Sequence, residues 1–134
     1  MQKIVYVQVV RAQRGTMKLL IVDDEEGVRN VLSQMLRCII DDSHEVHTTP
    51  NGEGAIALAK QIAFDGAFTD MQMPGMDGLD TFRALKATLP EIKVIIMSGQ
   101  ADPERVEAAL KEGAIDFLAK PFTMEDVKAV LQRN

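Results

Sequence analysis

The stretch LLIVDDEEG, Leu19 to Gly27, sets four apolar residues directly against four carboxylates, Asp23, Asp24, Glu25 and Glu26. The apolar half, extended back to Met17, reads as a strand buried on both faces, as in a parallel sheet. The acids stand at its carboxyl end. Like charges there repel one another and resist leaving water. A sequence that keeps this junction needs a cation beside it, or a chemistry that uses the acids.

From this junction the pattern repeats down the chain. Residues Glu25 to Arg37 carry Val28, Val31, Leu32, Met35 and Leu36 at helical spacing. HEVHTT reads as a second, weaker strand, and Asn51 as the cap of a helix with Ala55, Leu58, Ala59 and Ile62 inward. FDGAFTD is a third strand ending at Asp70, and Asp77 caps a helix with Leu79, Phe82 and Leu85 inward. KVIIM ends at Ser98. The next helix takes Asp102 as N-cap, Pro103 at its first position and Gly113 as its stop. AIDFLA ends at Lys120, and Thr123 with Asp126 forms an acidic variant of the capping box ahead of Val127, Val130 and Leu131. Five strand–helix units with right-handed crossovers predict an α/β fold, a doubly wound parallel sheet with helices on both faces.

Composition narrows the function. The chain has 134 residues, 46% of them apolar, enough for one domain with its own core. The formal charge is −5, and the three bases Lys3, Arg11 and Arg14 precede Met17, leaving 12 bases against 20 acids from there on. So acidic a domain is a poor match for nucleic acid, where phosphates must be neutralised. No apolar run approaches the roughly 20 residues of a membrane span. Cys38 is the only cysteine, which excludes an internal disulfide and fits a cytoplasmic location. Beside Ile39 and Ile40 it reads as a buried small apolar residue. Residues 1–16, KIVYVQVV included, read either as a disordered extension or as an added edge strand or dimer contact.

In a doubly wound sheet, ligands sit outside the carboxyl ends of the strands where strand order reverses. Those ends carry Asp23 and Asp24, Asp70, Ser98 and Lys120. No glycine-rich phosphate cradle follows the first strand, so nucleotide-binding readings are weak. Three clustered carboxylates suit Mg²⁺, which takes one or two of them and keeps waters and a phosphate oxygen. One carboxylate can then attack phosphorus, with the Lys as point charge and the Ser hydroxyl as donor to the phosphoryl oxygens. Phosphoryl transfer to an Asp requires this set of groups.

The four motifs LLIVDDEEG, FTDMQMPGMDG, VIIMSG and FLAKPF together resemble the receiver domain of two-component response regulators, from Met17 to the C-terminus. The spacings, 46 residues from Asp24 to Asp70, 28 to Ser98 and 22 to Lys120, resemble that family too. The resemblance implies a flavodoxin-like strand order 2-1-3-4-5 and a receiver over residues 17–134. It makes Asp70 the phosphoacceptor. Mg²⁺ would be held by Asp24, Asp70 and the backbone carbonyl of Gln72, with Asp23 acting through bound water. Lys120 and Ser98 would each hold a phosphoryl oxygen, Lys120–Pro121 would be cis, and Phe117, with Ser98, would be the switch pair. Implied partners are a histidine kinase or phosphotransfer protein and a downstream effector or output domain, with room for a homodimer through helix 4, strand 5 and helix 5. Such a domain catalyses its own phosphorylation and slow dephosphorylation and is not a turnover enzyme.

Two rivals stand beside it. A haloacid-dehalogenase-like phosphohydrolase also forms an aspartyl phosphate, but places an acid two residues after the nucleophile, where this chain has Gln72. A phosphate-independent interaction domain would not need the full residue set. His44 and His47, three apart on one strand, face opposite sides and make a poor metal pair. Met71 and Met73 border the site as packing residues. The last helix reads as short, which fits an excised receiver slightly better than a stand-alone one.

Overall fold

Backbone alternation sorts the chain into two layers around one sheet. The computed structural model describes residues 16–40, 44–99 and 103–134. In chain order the elements are β1 (Lys18–Val22), α1 (Glu26–Ile39), β2 (Glu45–Thr49), α2 (Gly52–Ala59) and β3 (Gly66–Asp70). They continue with α3 (Gly78–Thr88), β4 (Lys93–Ser98), α4 (Pro103–Lys111), β5 (Asp116–Ala119) and α5 (Met124–Arg133). The strands pair in the order β2-β1-β3-β4-β5, all parallel, as the resemblance implied. The expected Asp102 cap, and residues 1–15 of the extension expected over 1–16, lie outside the described residues.

Successive side chains on a strand point to opposite faces. Leu19, Ile21, Phe68, Ile95, Met97 and Leu118 pack under α1 and α5, against Leu32, Leu36, Val127, Val130 and Leu131. Leu20, Val22, Ala67, Val94 and Ile96 face α2, α3 and α4, against Ala55, Ala59, Phe82, Leu85 and Ala109. The same parity decides where the polar residues go. Asp23 continues the series of Leu19 and Ile21, Asp70 that of Phe68, and Lys120 that of Leu118. All three therefore lean toward the α1/α5 layer, at the end of the sheet where the chain turns from β2 back to β3 across β1.

The helix ends follow their predicted chemistry. Asn51 accepts from the Gly54 amide at 2.7 Å and Asp77 from the Asp80 amide at 2.9 Å. Thr123 and Asp126 form a reciprocal capping box. Gly113 closes α4 with a φ of +116°, the left-handed region that favours glycine. Lys120–Pro121 is cis.

Helix α1 departs from expectation. It starts at Glu26, after an N-cap residue, Glu25, that makes no side-chain cap, and it runs on to Ile39. Cys38 is exposed, not buried. The buried line runs Leu32, Leu36, Ile40 at intervals of four, and a residue two past Leu36 projects from the far side of the helix. Val31 is 47% exposed, one residue off that line. His44 stands just before β2, where its Nδ1 accepts from the Met17 amide at 2.8 Å, and His47 meets Phe64 edge-on.

One close approach fixes the loop after β3. A Cβ at Gly78 would sit 2.1 Å from the Asp70 carbonyl oxygen and 2.3 Å from the Met71 Cα. At Gly27, near the start of α1, a Cβ would meet nothing within 4 Å. Gly78→Ala should therefore lower stability by roughly 1–3 kcal/mol through overpacking. Gly27→Ala should gain up to about 1 kcal/mol of helix propensity. Urea melts of the two variants check the pair; equal effects would show that the Gly78 contact relaxes freely.

Candidate functional site

Three side chains meet at the carboxyl edge of the sheet. Asp23 follows β1 and is fully buried, and Asp70 ends β3 at 2% exposed. Lys120, one residue past β5, places its Nζ 2.7 Å from Asp23 Oδ2 and 3.3 Å from Asp70 Oδ2. Glu25 approaches the same ammonium from the rim at 3.6 Å. Backbone amides complete the acceptance. Asp23 Oδ1 takes the Glu25 N–H at 2.9 Å, and Asp70 Oδ1 takes the Gln72 N–H at 3.2 Å. Behind Asp23, Arg29 donates to its backbone carbonyl at 2.8 Å, so the first turn of α1 is tied to the end of β1.

The electrostatics follow from this crowding. Burial, then the charge on Asp23, pushes the Asp70 carboxyl up to about 6; Lys120 and the Gln72 amide pull it back only in part. For Lys120, burial works against the charge. The hydrogen bond and charge of Asp23, and then those of Asp70, outweigh it and raise its pKa. The ammonium thus stays charged, and Asp70 is poised near neutrality.

Each sequence-predicted residue can be placed. Asp23, Asp70 and Lys120 are in direct contact. Asp24 is exposed on the rim, and with Asp23 and Glu25 it offers carboxylate oxygens that all lie within 4.8 Å of one another. Ser98 ends β4, 3% exposed, with its carbonyl accepting the Lys120 amide at 2.9 Å. Gln72 is exposed and meets Asp70 through its N–H. Phe117 is half-buried and packs with the α2–α4 layer. Met71 and Met73 are buried in that layer. Sequence reasoning missed Glu25 as a partner of Lys120 and Arg29 as a brace. The first was read only as one of the clustered acids at the strand end, and nothing local announces the second.

A cleft of about 560 Å³ opens beside Lys120, lined by Glu25, Gly27, Val28, Val31, Pro121 and Phe122 among others. Val31, exposed on α1, forms part of this wall. Among the described residues no helix is long and apolar enough to cross a membrane.

Comparison with known proteins identifies the family. A family profile described as "Response regulator receiver domain" matches residues 19–132. The chain belongs to the response regulator receiver family. It is 34% identical over 116 residues to the regulatory protein AtoC of Escherichia coli K12, covering 87% of this chain and 24% of that protein. Among solved structures it is similar to the Vibrio cholerae chemotaxis protein CheY4, with TM-score 0.77, 30% identity, and coverage of 88% and 98% of the two chains. It also resembles a Burkholderia pseudomallei response regulator with a phosphorylated aspartic acid, calcium ion and citrate, with TM-score 0.77, 27% identity, and coverage of 88% and 68%. The chain spans about a quarter of the length of the curated relatives it matches first. Receiver domains accept a phosphoryl group in two-component signalling and are not in general turnover enzymes, and that is the function of this domain.

The raised carboxyl makes a stability prediction. Folded Asp70 holds its proton up to about 6, whereas an unfolded carboxyl releases it near its ordinary value of 3.8. The stability contributed by the neutral acid is complete below the unfolded pKa and is lost as pH rises through 6, so the ionised form costs roughly 2–3 kcal/mol above it. Asp70→Asn should stabilise the chain by that amount at about pH 7.5 in chelator, and the gain should fade toward about pH 4. Urea midpoints across that range check it; a gain independent of pH would overturn the assigned cause.

Proposed function

We propose that Asp70 is the phosphoacceptor of this receiver. The observation that carries the reading is a nearly buried carboxylate, raised to about 6, held 3.3 Å from a charged ammonium at the strand-order reversal. Near neutral pH the carboxylate form is present and nucleophilic. One Asp70 oxygen bonds to phosphorus while the bond from phosphorus to the donor breaks, the donor leaving as a neutral imidazole or as acetate. The ammonium of Lys120 then takes a phosphoryl oxygen, and the Ser98 hydroxyl donates to another.

The donor set also suits a hard divalent cation. Asp23, Glu25 and Asp70 surround Lys120, and Asp24 lies within 4.8 Å of the Asp23 and Glu25 oxygens, an excess of negative charge that one ammonium does not balance. Mg²⁺ would be held by Asp24, Asp70 and the Gln72 carbonyl, with Asp23 reaching it through water. Bound there, it would supply charge neutralisation to the phosphoryl oxygens. Gln72, two residues after Asp70, has no proton to relay, so the aspartyl phosphate hydrolyses slowly and the domain does not turn over.

The partners follow from the same surfaces. A histidine kinase or phosphotransfer protein delivers the phosphoryl group, seated on the apolar wall of Val28, Val31, Pro121 and Phe122 beside Lys120. Withdrawal of Ser98 toward the phosphate frees space for Phe117, which remodels the α4–β5–α5 face. That face engages an output domain, an effector or a second copy of the chain, in the cytoplasm.

Intact mass after incubation with acetyl phosphate tests the reading. One phosphoryl adduct should form with Mg²⁺ and none with chelator or in Asp70→Asn. Lys120→Ala should slow adduct formation by roughly 10²-fold, the usual loss for one charge-stabilising donor. Full labelling of Asp70→Asn would refute the acceptor, and unchanged kinetics in Lys120→Ala would refute the role of the ammonium.

A further inference from the structure

Helix α4 has little apolar anchorage. Of its nine residues only Ala109 is buried, and Leu110 is 41% exposed. Its neighbour α3 buries Gly78, Thr81, Phe82 and Leu85. Burial of side chains is what normally seats a helix on a sheet, so something else must hold α4 in register. Two arginine–carboxylate pairs span it and α3. Near its C-terminal end, Glu112 accepts two hydrogen bonds from Arg83 of α3, each 2.9 Å. Near its N-terminal end, Arg105 donates to Asp77 Oδ2.

The second pair is placed where it can do more than anchor. Asp77 is the N-cap of α3, so its other oxygen, Oδ1, is already committed to the Asp80 amide at 2.9 Å. That amide, with the Arg105 contact added against the opposing cost of burial, holds the Asp77 carboxyl below its usual value. The next residue is Gly78. Its N–H donates to the Met71 carbonyl at 3.3 Å, and its Cα lies so near the Asp70 carbonyl that no Cβ fits between them. Met71 in turn donates to the Met97 carbonyl of β4 at 2.9 Å. A chain of direct contacts thus runs from Arg105 through Asp77 and Gly78 to the backbone of Asp70.

We propose that Arg105 is a positioning residue whose pair with Asp77 fastens the first turn of α4 to the turn that follows Asp70. A shift of the Asp70 backbone then displaces α4, and by linkage the seat of α4 biases the geometry at Asp70. The clasp suits this task because it is strong enough to set a register and weak enough to yield. Both side chains are about one-third exposed, and ion pairs of that kind contribute little beyond about once or twice RT. An apolar seat in its place would hold α4 whatever happened at the site. The inference rests on the acceptor role proposed for Asp70, and its test separates the two.

The test uses amide spectra and hydrogen exchange of the full chain in four variants. Asp77→Asn keeps a cap oxygen for Asp80 and removes the charge. Arg105→Ala removes the partner, Arg105→Lys restores the charge without the planar fork, and the Asp77→Asn/Arg105→Ala double variant closes the cycle. Each of the first two should move the amide signals of Asp70 and Gly78 and speed exchange across α4 by about 2- to 5-fold. The double variant should add nothing to either, and Arg105→Lys should recover part of the loss. With acetyl phosphate the mass adduct should still form, while the α4 signals should respond by less than half of their parent shift.

Additive single effects, or an undiminished α4 response once the adduct is present, would overturn the clasp. A parent chain that takes no adduct would refute the acceptor reading instead. The cycle without phosphate would still decide whether Arg105 and Asp77 act as one.

Discussion

The architecture at the working edge depends on one ammonium among buried carboxylates. Asp23 has no exposed surface and the Asp70 side chain only 3%, and two such acids side by side would push their strand ends apart or take up protons. Lys120 prevents this by lying within 3.3 Å of both. The sheet order makes that reach demanding. β5 lies three places from β1, roughly 14 Å at ordinary strand spacing, so only a long side chain leaning inward closes the gap. Removing the cation would leave buried charges uncompensated, a far larger cost than the pair is worth when intact.

The same triad supplies a rationale for a switch. A phosphoryl group on Asp70 would bring further negative charge and strong acceptor oxygens to an ammonium already shared with Asp23. Lys120 would then divide its donors among more oxygens, and the Asp23–Asp70 repulsion that now raises the Asp70 carboxyl would be replaced by a different balance. Small displacements at such a point do not fade smoothly into the core, because close-packed layers have discrete arrangements. They pass along rigid contacts, and the approach of Gly78 to the Asp70 carbonyl, too close to admit a Cβ, is one of them.

Much of this was legible in the sequence, for a definite reason. Strand ends are written locally: LLIV stops at Asp23, GAFT at Asp70, VIIM at Ser98 and DFLA at Lys120. A parallel sheet with one topology then brings those ends together without further information. Caps at Asn51, Asp77 and Thr123 were legible for the same reason, since donor and acceptor are three residues apart. The misses among the ion pairs are the non-local ones. Arg83 and Glu112 are 29 residues apart, and Arg105 and Asp77 28, and charged residues on amphipathic helices look alike whether solvated or paired. Cys38 was misplaced because apolar neighbours in sequence are not neighbours on a helix. Val31 was misplaced because its stripe was drawn wider than the layer it covers. Its exposure makes sense only once Pro121 and Phe122 arrive from the other end of the chain to share its cleft.

The two layers also divide the labour at Asp70. Its side chain follows the parity of Phe68 and so belongs to the α1/α5 layer, where Asp23, Lys120 and the open cleft lie. Its carbonyl presses against Gly78, the first residue of a helix in the opposite layer, and Phe117 packs in that opposite layer as well. A change confined to the side chain on one face would therefore be felt through the backbone on the other. The sheet acts as a partition with a single residue set through it, and that separates the cleft beside Lys120 from the helices of the opposite layer.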